Sequence, residues 1–160
     1  MDPETAIERT TLEDASTIAD LWVDLATDQR AHGSHLAAAA NRERILDSIS
    51  HHIADDTLLV ARAEEGVVGF VMFSIERRLY VVSATRGTVH NLYVVPERRG
   101  EGIGSALLEA AETELAADGA DRICLEALVG NEEARRFYEN NGYGPHRIEF
   151  EKRVETDNST

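Results

Sequence analysis

Apolar positions change their period along this chain, and each change marks an element. Ile7-Glu8-Arg9 reads as a short first strand. Ile18, Leu21, Trp22 and Leu25 then recur at three- and four-residue steps, predicting a helix whose start Thr11 or Asp14 can cap. Asp28 to His35 is polar and broken by Gly33, hence a loop. Ile45, Ile49 and Ile53 at four-residue steps predict a second helix. Thr57–Ala63 and Val67–Ile75 are apolar strands joined by Glu64-Glu65-Gly66, a hairpin. Arg77 to Gly87 supports either a loop or an extension of strand over Leu79-Tyr80-Val81-Val82. Thr88–Val95 is a fourth strand closed by Pro96. Ile103, Leu107, Ala111 and Leu115 predict a third helix that Gly119 ends. Arg122–Ala127 is a fifth strand, and its apolar flanks place it centrally in the sheet. Asn131–Asn140 predicts a fourth helix ended by Asn141-Gly142, and Arg147–Val154 a closing strand. The order is β-α-α-β-β-β-α-β-α-β, which predicts an α/β (α+β mixed) fold with helices on the faces of a mixed sheet. Residues 1–154 form one expected domain, and 155–160 a polar tail.

Composition narrows the class. A chain of 160 residues can bury one real core. It has no apolar run of about 18 residues, so no membrane helix is expected. Met1-Asp2-Pro3-Glu4 lacks the basic and apolar regions of a signal peptide, which points to a cytoplasmic protein. Cys124, the lone cysteine, sits in Ile123-Cys124-Leu125 and reads as a buried structural thiol. His51-His52 has no partner at i, i+4, so the pair reads as solvent-exposed and no metal is expected.

The net charge is −14, with Lys152 the only lysine among sixteen basic residues. The acidic residues are dispersed along the chain, and no basic face is available for phosphate contacts, which argues against nucleic acid as a partner. Dispersed acidity with one lysine fits an extreme halophile, where molar salt screens self-repulsion over about 3 Å. An acidic surface attracting cationic substrates is the competing reading.

Between the fourth strand and third helix lies Arg98-Arg99-Gly100-Glu101-Gly102-Ile103-Gly104. Glycines let backbone N–H groups approach an anion, and a helix N-terminus adds unpaired donors and partial positive charge. The spacing fails the dinucleotide pattern, because Ser105 stands where a third glycine is needed, and no Lys-Ser or Lys-Thr pair completes a P-loop. It does resemble the R-x-x-G-x-G pyrophosphate motif of the GNAT acetyltransferase superfamily, which uses acetyl-coenzyme A. Asn131 to Tyr143 is similar to that family's N-x-x-A-x-x-F-Y-x-x-x-G-[F/Y] segment and follows in the right order.

The resemblance implies a GNAT fold whose fourth and fifth strands splay to admit the pantetheine arm. It assigns the pyrophosphate to Arg99, Gly100, Glu101, Gly102, Ile103 and Gly104, with Arg98 as support, and the pantetheine to Leu92, Tyr93 and Val94. A side chain at Gly102 or Gly104 is expected to occupy the pyrophosphate's space. Asn131 is expected to hydrogen-bond the cofactor, to cap the fourth helix, or both. Tyr138 is the expected general acid toward the leaving thiolate. The base is open between Glu126, His90 and solvent; by strict alternation His90 would share a strand face with Thr88 and Leu92. The Asp28–His35 loop, with Asp28, His32 and His35, and the Arg77–Gly87 segment are expected to shape the acceptor site. The implied activity is direct acetyl transfer to a primary amine, on a small molecule or a peptide N-terminus. The alternative is a non-catalytic module that senses acyl-coenzyme A. A homodimer is compatible with either.

Overall fold

The computed structural model describes residues 2–77 and 80–155. Its elements are β1 (Ala6–Arg9), α1 (Ala15–Arg30), α2 (Arg42–Ala54), β2 (Leu58–Ala63), β3 (Gly66–Ile75), β4 (Arg86–Val94), α3 (Ile103–Ala117), β5 (Arg122–Cys124) and α4 (Glu132–Asn140). Single turns of 3₁₀ helix precede α1 and α2, and a third, Pro96–Arg98, follows β4.

The sheet has order β1-β2-β3-β4-β5. Neighbours are antiparallel from β1 to β4, and β5 runs parallel to β4. Alternation sorts the strand side chains onto two cores. Leu58, Val60, Phe70, Met72 and Tyr93 face α1 and α2, packing with Ile18, Trp22 and Ile49. Leu59, Val71, Phe73 and Val89 face α3, packing with Ile103, Leu107 and Leu115. Because both faces of β3 are covered, its sequence is continuously apolar rather than alternating. Each fully buried large side chain in these layers contributes about 1.5–3 kcal/mol. At Gly69 the β3 backbone comes so close to β4 that a Cβ would lie 2.8 Å from the Tyr93 carbonyl oxygen.

Two expectations about the C-terminal third are corrected. β5 is three residues long and sits at the sheet edge, not in the centre. Its apolar flanks are half-buried on the α3 side alone, where Ile123 and Leu125 pack against that core. The closing strand over Arg147–Val154 is not formed; residues 144–155 are exposed and carry no regular structure. Ile148, Phe150 and Val154 stand 73%, 88% and 79% exposed. A strand needs a ladder partner, and β5 offers a short edge. Among the described residues, the segment's side-chain tie is His35 Nε2 to Glu151, at 3.1 Å. In the 77–87 segment, residues 80–85 form a loop with Tyr80 and Val81 exposed, and Leu79 lies outside the described residues. Residues 156–160 of the expected tail also lie outside them. Among the described residues, no helix is long and apolar enough to cross a membrane.

Candidate active site

β4 and β5 are paired at Arg86–Arg122, Gly87–Ile123 and Thr88–Cys124. β4 then continues to Val94 while β5 ends. Beyond the Thr88–Cys124 rung the pairing stops, and among the described residues no strand pairs with that edge of β4. His90 and Glu126 each lie two residues past that last rung, on the two sides of the opening.

The glycine loop lies just after β4. Gly100 and Gly102 have φ of +81° and +86°, a conformation that favours glycine. Gly102 is the N-cap of α3 and supplies no side-chain cap. The first intrahelical bond is Ala106 N–H to Gly102 O at 3.1 Å, so the N–H groups of Ile103, Gly104 and Ser105 have no acceptor within the helix. Uncapped donors, partial positive charge and glycine-only backbone fit a diphosphate. The acidic residue inside the loop does not oppose this, because Glu101 is turned onto Arg98 Nε at 3.0 Å.

Gly104 departs from its expected use. A Cβ there would lie 3.2 Å from Phe137 Cζ, so it would point into α4 and not outward at an anion. Its missing side chain lets α4 close on the start of α3.

The two arginines part company. Arg98 has a largely covered side chain, 14% exposed, and donates to Glu65 (2.8 Å), Glu101 and Thr5 Oγ1 (3.0 Å), tying the hairpin and Thr5 to the loop. Arg99 folds back over β4: Nε donates to the Val94 carbonyl at 2.8 Å, and the guanidinium lies 5.3 Å from the Tyr93 ring centre. Its Nη2 is 3.9 Å from Asp28 of α1. Leu92 and Val94, partly buried, pack toward α3, and the buried Tyr93 packs toward α1.

Asn131 caps α4, its Oδ1 accepting from Ala134 N–H at 3.1 Å. On that helix Tyr138 stands between Phe137 (ring centres 5.4 Å apart) and Tyr143 (6.1 Å). Burial pushes the Tyr138 hydroxyl above the ordinary tyrosine value. Tyr143 donates to Glu112 of α3 at 2.6 Å, and burial with that bond raises it too.

His90 is displaced from its expected face. Met72 pairs with Asn91 and Phe73 with Val89, so His90 is the extra residue of a β-bulge. Val89 and Leu92 therefore both face α3, and His90 does not share Leu92's face. It turns to the other side, where Nε2 lies 2.6 Å from Ser74 Oγ and its ring meets that of His52, centres 5.8 Å apart at 62°. His52 is half-buried, not solvent-exposed as expected, and its Nδ1 lies 2.7 Å from Thr57 Oγ1. Helical spacing held the signal: His52 follows the fully buried Ile49 by three residues. Desolvation lowers both histidines, the exposed His90 as well as the half-buried His52; His90 adds repulsion on His52, and Asp55 opposes it. Glu126 is exposed and has no hydrogen-bond or ion-pair partner among the described residues. Cys124 is half-buried rather than enclosed, with Arg86 Nε 2.9 Å from its Sγ. Among the described residues no group of three metal-ligating side chains converges. In the expected acceptor loop, His32 is exposed and its carbonyl faces Gly130, 3.4 Å from where a Cβ would sit.

The acetyltransferase (GNAT) family model matches residues 16–143. An uncharacterized N-acetyltransferase of Archaeoglobus fulgidus is 43% identical over 90 residues, 52% of this chain and 56% of that protein. The chain spans about half the length of the curated relatives it matches (56%, 59% and 55%). Among solved structures, a GCN5-related N-acetyltransferase from Ralstonia eutropha has a TM-score of 0.75 at 24% identity, covering 94% of this chain and 98% of that one. A predicted acetyltransferase from Clostridium acetobutylicum, solved with acetyl-CoA, has a TM-score of 0.75 at 16% identity over 93% of this chain and 96% of that one. These two likenesses are likenesses of fold.

Proposed function

The chain belongs to the GNAT acetyltransferase family, and we propose that it is an N-acetyltransferase moving the acetyl group of acetyl-coenzyme A to a primary amine by direct attack. The observation that carries this reading is the parting of β4 from β5 beside an uncapped helix start: a slot for an extended arm next to a cradle for a diphosphate. Bound acetyl-coenzyme A supplies an acetyl group activated as a thioester. A C–N bond forms, the C–S bond breaks, the amine loses a proton and the thiolate gains one.

In this reading the N–H groups at the start of α3 hold the diphosphate, and Arg99 turns from Val94 and Asp28 to add its charge. The open edge of β4 at Leu92–Val94 pairs with the pantetheine arm as a strand would, and a backbone N–H there polarises the thioester carbonyl. Asn131 keeps its cap and faces the arm. An alkylamine with a pKa near 10.4 is almost wholly protonated at neutral pH, so His90, Glu126 or solvent takes its proton.

Tyr138 protects the leaving sulfur. Proton transfer from an ordinary tyrosine to a thiolate is uphill by about 2 kcal/mol, from reference values of about 10 and 8.5. Burial raises the tyrosine further, but it raises a thiol in the same niche as well, so the gap does not widen in proportion. Tyr138 therefore acts first as a hydrogen-bond donor to sulfur and completes the transfer as the thiolate leaves. The dispersed negative charge and single lysine belong, in the same reading, to adaptation to high salt.

Acetyl-coenzyme A should raise unfolding stability by about 2.7 kcal/mol at a hundredfold excess over its dissociation constant. A panel of primary amines, followed by free-thiol release, should then give turnover that Tyr138→Phe cuts roughly 100-fold with cofactor binding retained. Stabilisation without thiol release on any amine would favour the sensing module. No stabilisation at all would overturn the reading.

A further inference from the structure

The bulge in β4 has built a niche around one of the two candidate bases. On one side of the His90 ring stands Ser74 of β3, with Oγ 2.6 Å from Nε2. Against the ring stands His52, at the C-terminal end of α2. Local bonds orient His52 in turn. Thr57 Oγ1 donates to the His52 carbonyl at 3.4 Å, so it can accept from His52 Nδ1–H at 2.7 Å. That assignment puts the His52 proton on Nδ1. Glu126, across the opening, is exposed with no comparable frame.

We propose that Ser74 and His52 are positioning residues that ready His90 to take the amine proton at Nδ1. Ser74 Oγ accepts the Nε2–H of His90, and this bond decides which ring nitrogen keeps a free lone pair. His52 packs edge-on and holds the ring plane, so the free nitrogen is aimed rather than averaged over rotamers. The extra residue at the bulge is what turns His90 toward this pair and away from the α3 core.

The charges around the pair set its pH behaviour. Two rings this close do not both ionise readily, and repulsion from His90 is among the causes that hold His52 low. His51 is turned to the Asp47 carbonyl, and Asp55 is the carboxylate acting on His52 from α2. Charging one ring therefore opposes charging the other, and the pair takes its first proton more readily than its second. The base is returned to its working form when that one proton passes to solvent.

This inference rests on the acetyltransferase reading, and the test separates the two. Ser74→Ala, Ser74→Thr and His52→Ala are compared with the unaltered chain in three measurements. These are acetyl-coenzyme A affinity, the pH dependence of kcat/KM on a turned-over amine, and ¹⁵N shifts of the His90 ring. Affinity should stay within roughly threefold for all, because neither position is in the phosphate loop. Ser74→Ala should lower kcat/KM roughly tenfold and mix the His90 tautomers, and Ser74→Thr should recover most of both. His52→Ala should lower the rate with the tautomer kept. In His90→Gln, the titration midpoint of His52 should rise, since a source of repulsion is gone. An unchanged His90 tautomer and acid limb in Ser74→Ala, with turnover intact, would overturn the proposal and leave the acetyltransferase reading standing. Loss of cofactor binding by the unaltered chain would instead strike the reading itself.

Discussion

Replacing Gly104 with alanine separates two reasons for a glycine at that position. If the glycine makes room for an anion, a methyl group costs cofactor affinity; if it makes room for Phe137, it costs stability. A Cβ on Gly104 falls 3.2 Å from Phe137 Cζ and 3.4 Å from Cε1. Carbon pairs are most favourable at about 3.5–4.0 Å, so the ring must retreat by a few tenths of an ångström. Tyr138, with its ring centre 5.4 Å away, limits that retreat. Overpacking a fitted contact costs about 1–3 kcal/mol. Helix propensity returns up to about 1 kcal/mol when glycine becomes alanine. The net expectation is a loss of about 1 kcal/mol, a fall in Tm of roughly 2–4 °C for a chain of this size. In a Phe137→Leu background the obstructing ring is gone, and Gly104→Ala should be neutral or stabilising. The coupling between the two sites is then about 1–2 kcal/mol, within the range for residues in contact. Urea unfolding of the four proteins, with m held constant, measures it. Equal losses in both backgrounds would refute the packing argument. The same proteins should bind acetyl-coenzyme A within roughly threefold of one another. A tenfold loss on Gly104→Ala with stability unchanged would return that position to the anion.

Three further outcomes follow from the site and the surface. Arg98→Met should lower the melting temperature by unpairing Glu65 and Glu101 and leave cofactor affinity unchanged, whereas Arg99→Ala should weaken affinity roughly 10- to 100-fold with little effect on folding; thermal melts and titration calorimetry on both variants check this, and a reversed pattern would reassign the pair. Unfolding free energy should rise steeply from low to molar potassium chloride as repulsion within a chain of net charge −14 is screened; equal values at both salt levels would remove the salt-adaptation reading. Burial holds His52 and His90 below the free histidine value of about 6.5, so the unfolded chain binds protons there that the folded chain refuses. Their contribution is present in full above about pH 6.5 and is lost as pH falls through the folded-state midpoints. Denaturation at pH 5 and 7.5 should show it as an acid-side loss that His52→Gln and His90→Gln each reduce.

Much of the fold was legible because its periods repeat. Ile103, Leu107, Ala111 and Leu115 were enough to place α3, and all four are buried. The β2–β3 hairpin was announced by a short acidic turn with a glycine between apolar runs. β5 was misplaced because apolar flanks report burial on one face only. The ladder that would make it central depends on a partner, and the terminal segment expected to supply one is exposed and irregular. His52 was hidden by its neighbour: two consecutive histidines look alike, yet a step of 100° per residue turns His51 to solvent and His52 toward β4. The bulge left one faint mark, Val89 and Leu92 standing three residues apart where a single strand face needs an even step, and only the pairing with β3 shows that the extra residue is His90.

Arg98 and Arg99 carry the same limit into the motif itself. A pattern of residue types counts two cations before a glycine loop and has no means to tell them apart. The backbone distinguishes them. Arg98 ends the single turn of 3₁₀ helix that Pro96 opens, and Arg99 follows in an extended conformation with φ −78° and ψ 153°. The change from helical to extended backbone sends consecutive side chains to different sides. One goes under the loop to Thr5, Glu65 and Glu101, where three acceptors consume its donors. The other goes over β4, held by a carbonyl and an exposed carboxylate that it can leave. A guanidinium that is itself largely covered and tied to three acceptors cannot be lent to a ligand without leaving them unpaired, whereas the half-exposed Arg99 exchanges its partners at little cost. The anchor is therefore the arginine with the weaker present attachments, and it is the backbone conformation at Arg99, not the residue type, that makes it so.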